Sequence, residues 1–294
     1  MSFRKTIVLL LTAFSICTTN FVYASYEPII KAYRDERLWS ELFKGGYLNF
    51  GYWENILPKE GKITVDERIR SSEALYTQVI DILDISKDEV IVEIGCGRGC
   101  GCAKIMKEYN PKRVIGIDIT SEQIERSYKI HRLSFENYPN LSFIIAQSER
   151  TTLPDESVDK IYSVEVAQHF SSMHDFSKEA YRILKPGGTI VFTTYFSTSQ
   201  QGAKAVREMI LWVAEGKDNA FPIEEVEKAF SQNGFRDIQI QSIGDKVFEG
   251  YDVWSSQVLL PDCSNSYTRK WYEAFIKGYL DYYVIVAKKT NQLK

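Results

Sequence analysis

The densest group of residues able to do chemistry is Val90-Ile91-Val92-Glu93-Ile94-Gly95-Cys96-Gly97-Arg98-Gly99. Glycines at 95, 97 and 99 behind a buried-type strand let the backbone turn sharply and approach a ligand with no Cβ in the way. A helix starting behind them presents free N–H groups. A dinucleotide-binding loop spaced G-x-G-x-x-G would require glycine at position 100, where Cys100 stands. The spacing is G-x-G-x-G, which weakens a nicotinamide or flavin reading. Asp118 closes the next strand, Val114-Ile115-Gly116-Ile117-Asp118, where its carboxylate can accept both hydroxyls of a ribose. A helix cap is the competing role for Asp118, and the glycine loop upstream favours ligand binding.

His169 follows the fourth strand, at the carboxyl edge where open α/β sheets bind ligands. An imidazole there has a pKa suited to taking a proton from an acceptor; shaping the pocket or touching the cofactor is the equal alternative. His174 beside Asp175 reads as a cap or surface residue, and His131 as an exposed helix residue. After the fifth strand stand Thr193-Thr194-Tyr195, so no acid that would support His169 is evident. Tyr47, Phe50, Tyr52 and Trp53 form an aromatic stretch able to cover a cationic ligand and exclude water, or to pack a pair of N-terminal helices. Trp212, Trp254 and Trp271 are candidates to line an acceptor pocket, with core packing the simpler role.

These residues need a frame, and the hydrophobic pattern supplies one. From Glu89 onward short apolar runs alternate with helical patterns, which predicts a parallel α/β sheet. Strands are expected at 90–94, 113–117, 141–146, 160–165, 189–194, 235–243 and 282–287. Helices are expected at 27–44, 64–85, 99–109, 121–137 and 176–184, with another beginning at Pro222 and ending at Gly234. Lys185-Pro186-Gly187-Gly188 reads as a helix stop and tight turn. The 195–221 and 244–280 segments carry helical periodicity and are expected to cap the carboxyl edge of the sheet.

Taken in order, these motifs make residues 45–290 resemble the class I S-adenosylmethionine-dependent methyltransferases, in the group acting on natural products, sterols and similar small acceptors. The likeness rests on Glu93 to Gly99, Asp118, Leu153-Pro154-Asp155-Glu156-Ser157-Val158-Asp159, Val164-Glu165-Val166-Ala167-Gln168-His169-Phe170, Arg182 to Gly188, and Asn49-Phe50-Gly51-Tyr52-Trp53. It implies a doubly wound, mostly parallel seven-stranded sheet and S-adenosyl-L-methionine as cofactor. It further implies that Gly95, Cys96, Gly97 and Gly99 pass under the methionine part, with Glu93 supporting the loop. Asp118 would hold the ribose, Ile119 would pack on the adenine, and Glu165, Tyr52 and Trp53 complete the cofactor-binding set. An acid usually found after the third strand is absent, and Gln147 and Ser148 stand in its place as hydrogen-bonding groups for the adenine edge.

Composition narrows the partners. The chain of 294 residues has a formal net charge of −3 and a sequence pI near 5.8, which argues against a dominant nucleic-acid partner. The 18 Tyr and 16 Phe suit either an apolar acceptor pocket or a second aromatic core. Arg4 and Lys5, the apolar run Thr6–Cys17 and Val22-Tyr23-Ala24 read as a cleavable export signal over residues 1–24, ahead of a helical and lid segment at 25–85 and the catalytic domain at 86–294. A packed N-terminal helix is the alternative. Cys96, Cys100 and Cys102 crowd into one turn and form no disulfide framework or zinc site. Export and a cytosolic cofactor point to different compartments, periplasmic or secreted against cytoplasmic or membrane-associated, and both expectations stand.

Overall fold

The computed structural model describes residues 26–33, 40–58, 61–132, 137–259 and 269–290. The expected export signal and its cleavage point lie outside these residues. Residues 26–33 form a first helix, α1, and α2 follows at Val65–Leu83. Thr64 opens α2 with a capping box: its hydroxyl accepts from Glu67 N–H, and the Glu67 carboxylate accepts from Thr64 N–H at 2.8 Å.

The sheet is built from β1 (Val90–Ile94), β2 (Arg113–Asp118), β3 (Leu141–Ile145), β4 (Val158–Val164), β5 (Leu184–Ser197), β6 (Phe235–Ser242) and β7 (Leu280–Lys289). Its order is β3-β2-β1-β4-β5-β7-β6. All pairs from β3 to β5 are parallel, and β7 runs antiparallel to both β5 and β6. The strand order reverses between β1 and β4, so the carboxyl ends of these neighbours diverge into a crevice, the place where such sheets bind ligands. The intervening helices are α3 (Cys100–Tyr109), α4 (Ser121–Ile130), α5 (Met173–Ile183), α6 (Gln200–Met209), α7 (Leu211–Ala214), α8 (Ile223–Gln232), α9 (Gly244–Val258) and α10 (Arg269–Ile276).

Alternation along the strands divides the core into two layers. On β1, Ile91 joins the layer containing Leu75, Val79 and Ile105 of α2 and α3, whereas Val92 and Ile94 join Phe176, Ile183 and Phe230 of α5 and α8. Glu93 shares the face of Ile91 and is therefore driven into an apolar layer by strand geometry. Trp271 and Tyr251 belong to the first layer, while Trp53, Ile63 and Trp254 form a small third cluster.

Two expected boundaries are corrected. Lys185–Gly188 do not form a turn outside the sheet. Leu184 pairs with Val158 and Thr189 with Lys160, so the four residues bulge out of a continuous β5. The helix expected over 121–137 is interrupted at His131, the C-cap of a first run that ends at Ile130, and Arg132 and Asn137 are helical again. Among the described residues no helix is long and apolar enough to cross a membrane.

Candidate functional site

A cavity of about 850 Å³, its mouth included, opens at the crevice between β1 and β4. The glycine loop forms its floor. Gly95 and Cys96 both donate their N–H groups to the Ile117 carbonyl, at 2.7 and 2.9 Å, locking the loop to the end of β2. The three glycines serve different ends. A Cβ on Gly95 would fall 2.3 Å from Val166, and one on Gly99 would fall 2.4 Å from Phe143. At Gly97 (φ +50°) the nearest atom to such a Cβ is Leu48 at 3.7 Å, so this residue keeps open space that a ligand can use.

Asp118 lines the cavity and organises it. One carboxylate oxygen accepts from Gly97 N–H at 2.9 Å and the other from Thr120 N–H at 2.8 Å. The N-cap of α4 is Thr120, so Asp118 caps no helix and instead holds the loop, its carboxylate retaining lone pairs for further donors. Burial raises its pKa, against the pull of the Thr120 and Gly97 amides. Ile119 and Ser148 also line the cavity. Gln123 on α4 does so as well, and its buried Oε1 has no protein partner, an acceptor turned toward ligand space.

Glu93 is placed behind the loop. It is fully buried and accepts from Tyr76 (3.0 Å), Tyr162 (2.6 Å) and the Cys102 thiol (2.9 Å), bracing β1 against α2 and α3. Burial pushes its carboxyl up to about 7 in spite of those donors. Gln147 is buried but does not line the cavity.

The other wall carries the reactive groups. Glu165 sits at φ +53°, a left-handed conformation uncommon outside glycine, at the exit from β4. Its Oε1 accepts from Phe50 N–H at 2.5 Å and Tyr282 O–H at 2.7 Å, and burial, opposed by these donors, pushes it up to about 7. One turn of 3-10 helix, Ala167–His169, then brings His169 to the cavity. Its Nδ1 hydrogen-bonds the Lys217 carbonyl at 3.2 Å and lies 2.6 Å from Asp218 Oδ1. Burial opposes charge on the ring, but the Asp218 carboxylate, joined by the Lys217 carbonyl and Glu165, outweighs it and lifts the imidazole pKa above its ordinary value.

Asp218 is the acid that sequence reasoning missed. Asn219 fixes it: its N–H donates to the Gln168 carbonyl at 2.6 Å and its side chain to the Phe170 carbonyl at 2.8 Å. The Tyr195 hydroxyl donates to the other Asp218 oxygen. Gln168 completes the brace by donating to the Glu165 carbonyl and accepting from Thr194.

The cover of the cavity comes from α1, which contributes Tyr26, Ile29 and Tyr33, and from Gly46 and Leu48. Tyr52 and Trp53 stand elsewhere. Tyr52 points its hydroxyl to Glu54 at 2.7 Å, and Trp53 is buried against Gly250, donating to the Phe50 carbonyl at 2.9 Å. Phe50 stacks on Tyr251 with ring centroids 3.9 Å apart, and Tyr47 packs on Tyr76. Trp212, Trp254 and Trp271 are core residues and do not reach the cavity. Cys96 and Cys100 line the cavity while Cys102 is buried behind it, all as free thiols. Among the described residues no group of three or more His, Cys, Asp or Glu side chains could hold a metal ion.

Comparison with known proteins fits this geometry. Residues 92–192 match the family described as "Methyltransferase domain". The chain is 26% identical over 247 residues to erythromycin 3''-O-methyltransferase of Saccharopolyspora erythraea, covering 78% of this chain and 75% of that protein. It is 28% identical over 147 residues to fatty-acid O-methyltransferase of Mycolicibacterium smegmatis, covering 50% of this chain and 52% of the relative. Among solved structures, geranyl diphosphate C-methyltransferase from Streptomyces coelicolor A3(2), crystallised with Mg2+, geranyl diphosphate and S-adenosyl-L-homocysteine, superposes with a TM-score of 0.74. That match is 18% identical and covers 90% of this chain and 98% of the other.

Proposed function

We propose, for a chain that belongs to the class I S-adenosylmethionine-dependent methyltransferases, that it methylates a hydroxyl group of a small-molecule acceptor with His169 as base. The observation that carries this reading is the His169–Asp218 pair on the wall of the cavity whose floor is the Gly95–Gly97 loop. S-adenosylmethionine, when bound, supplies an electrophilic methyl group next to a good leaving sulfur. The residues present fit such a group: Gly97 leaves room for it, Asp118 retains acceptor capacity beside the loop, and Gln123 offers an unused buried acceptor.

The chain's own contribution is orientation, exclusion of water and removal of one proton. Holding acceptor and cofactor in line supplies most of the acceleration. Asp218 holds Nδ1 of His169, so Nε2 is the nitrogen left to accept a proton, and the carboxylate stabilises the imidazolium that results. The apolar part of the lining, Ile29, Leu48, Ile94, Ile117, Ile119 and Phe170, favours an acceptor with a hydrophobic body. A lipid-like acceptor drawn from a membrane is the second reading, supported by the same lining and by relatives named for fatty-acid and sterol substrates. Export of the chain after loss of residues 1–24 remains part of this proposal, and the intact mass of the protein recovered from its native host tests it.

The direct test is calorimetric titration with S-adenosylmethionine and, separately, NAD. Saturable binding of the first only is expected, with Asp118→Ala weakening it about 100-fold, because two backbone donors and the ligand lose one shared carboxylate. Equal binding by Asp118→Ala would remove Asp118 from the site. Binding without methylation of any acceptor in a panel of macrolides, fatty acids and sterols would favour a cofactor-binding protein without turnover.

A further inference from the structure

Nε2 of His169, the nitrogen that must receive the proton, already has a neighbour. Tyr33 Oη lies 3.1 Å from it, and the two rings meet edge to face with centroids 5.6 Å apart. Nδ1 of the same ring faces the Lys217 carbonyl and the Asp218 carboxylate, both acceptors, and therefore carries the hydrogen. Nε2 is then an acceptor, and the Tyr33 hydroxyl is a donor to it. Gln168 Nε2, at 3.3 Å, is the other group near this nitrogen, and it is engaged with the Glu165 carbonyl.

An acceptor hydroxyl entering the cavity has two courses: displace Tyr33 or deliver its proton through it. Helix α1 is tethered on both sides of the cavity, which opposes displacement. At one end the Tyr26 hydroxyl donates to Glu149 Oε1 at 2.5 Å and accepts from Ser171 N–H at 3.0 Å. At the other, the Tyr33 carbonyl accepts from Arg126 at 3.2 Å, and Ile29 is buried between them. A phenol oxygen donating to Nε2 retains lone pairs with which to accept a second hydrogen bond.

We propose that Tyr33 is a catalytic residue of this site, carrying the acceptor's proton to His169 Nε2. The proposal rests on the reading of His169 as base. As the new bond forms between acceptor oxygen and methyl carbon, the carbon–sulfur bond of S-adenosylmethionine breaks with its electron pair kept by sulfur. The acceptor's proton passes to Tyr33 Oη while the proton of Tyr33 passes to Nε2, leaving a neutral phenol, an imidazolium paired with Asp218 and a neutral methylated product. Giving and taking are concerted, because burial and the neighbouring carboxyl groups of Asp218, Glu165 and Asp118 all disfavour a phenolate at this position.

The test is Tyr33→Phe, which keeps the ring and removes the hydroxyl. With a macrolide bearing a free sugar hydroxyl as the acceptor probe, kcat is expected to fall about 10- to 100-fold. S-adenosylhomocysteine affinity should stay within about threefold. Groups that act as a unit lose activity only once, so Tyr33→Phe should cost nothing further in a His169→Ala background. The 15N resonance of His169 Nε2, read without any acceptor, should move in Tyr33→Phe, and an unmoved resonance would overturn the hydrogen bond on which the proposal stands. Turnover kept in Tyr33→Phe but lost in His169→Ala overturns the role of Tyr33 alone. Turnover kept in His169→Ala overturns the base itself. Losses that multiply in the double variant, together with weakened S-adenosylhomocysteine binding, would make Tyr33 a lid residue only.

Discussion

The two walls of the cavity are built on different plans. The floor and one wall, from β1 and β2, use residues that are near neighbours in the chain: Gly95 to Gly97 on one loop, then Asp118, Ile119 and Thr120 on the next. Each is placed by backbone bonds made at the strand ends, such as Gly95 and Cys96 to Ile117. The opposite wall presents Tyr33, Glu165 and His169, backed by Phe50, Asp218 and Tyr282, so it draws on α1, three loops, a turn of 3-10 helix and β7 through side-chain bonds across long stretches of chain. A wall fixed by two adjacent strand-end loops serves a ligand of fixed shape. A wall assembled from many elements can change its acceptor by changing one of them.

The sharpest way to break this comparison is to cut the acceptor wall and ask whether the cofactor wall notices. Asp218→Asn should lower kcat about 100-fold, since the imidazole loses the carboxylate charge that stabilises its protonated form. Its cofactor affinity should stay within about threefold. The pH profile carries the sign. Asp218 raises the His169 pKa, and in the proposed mechanism the neutral ring is the active form, so wild-type kcat is expected to rise with pH through that raised value. Asp218→Asn should move the acid limb to lower pH. An unmoved limb would assign it to another group, with Glu165 the nearest alternative.

How much of each wall could be read in advance follows from the same difference. The glycine loop, Asp118 and the position of His169 are visible in sequence because strand ends and turn residues are local features. Asp218 is not, since nothing in Glu215-Gly216-Lys217-Asp218-Asn219 marks it as more than a polar turn. Only the Asn219 bonds to the Gln168 and Phe170 carbonyls bring it to His169. Tyr33 sits in a stretch that reads simply as amphipathic helix. The aromatic run at 47–53 draws attention by residue type, yet composition cannot tell a ring over a ligand from one in a core. Trp53 has its place because Gly250 leaves room for it. The bulge at Lys185–Gly188 escapes for a related reason, because its residues suit a turn and only the pairing of Leu184 and Thr189 with β4 holds them in the sheet.

Glu93 and Glu165 sharpen the comparison, one acid behind the cofactor wall and one on the acceptor wall, both pushed up to about 7. Between the ordinary carboxylate value and about 7 the folded chain holds protons that the unfolded chain has released. Stability therefore falls as pH rises through that window and levels off above it. The loss is on the order of 2–3 kcal/mol per carboxyl. Urea unfolding at pH 5 and pH 8 should show the fall in the parent protein and a smaller one in both Glu93→Gln and Glu165→Gln. An undiminished fall in either variant would move the origin of the pH dependence away from that acid.

The smallest effect is expected where sequence and structure part company. Tyr52 has the residue type of a lid, but its hydroxyl donates to Glu54, and the rings that cover the cavity, Tyr26 and Tyr33, come from α1. Tyr52→Phe removes one exposed hydrogen bond and no cavity contact, so S-adenosylmethionine affinity should change less than about twofold and stability by less than about 0.5 kcal/mol. Calorimetry and urea unfolding measure both. A tenfold loss of cofactor affinity would mean that the 47–53 stretch closes over the ligand after all, and that the cover formed by α1 is only one of two positions the lid can take.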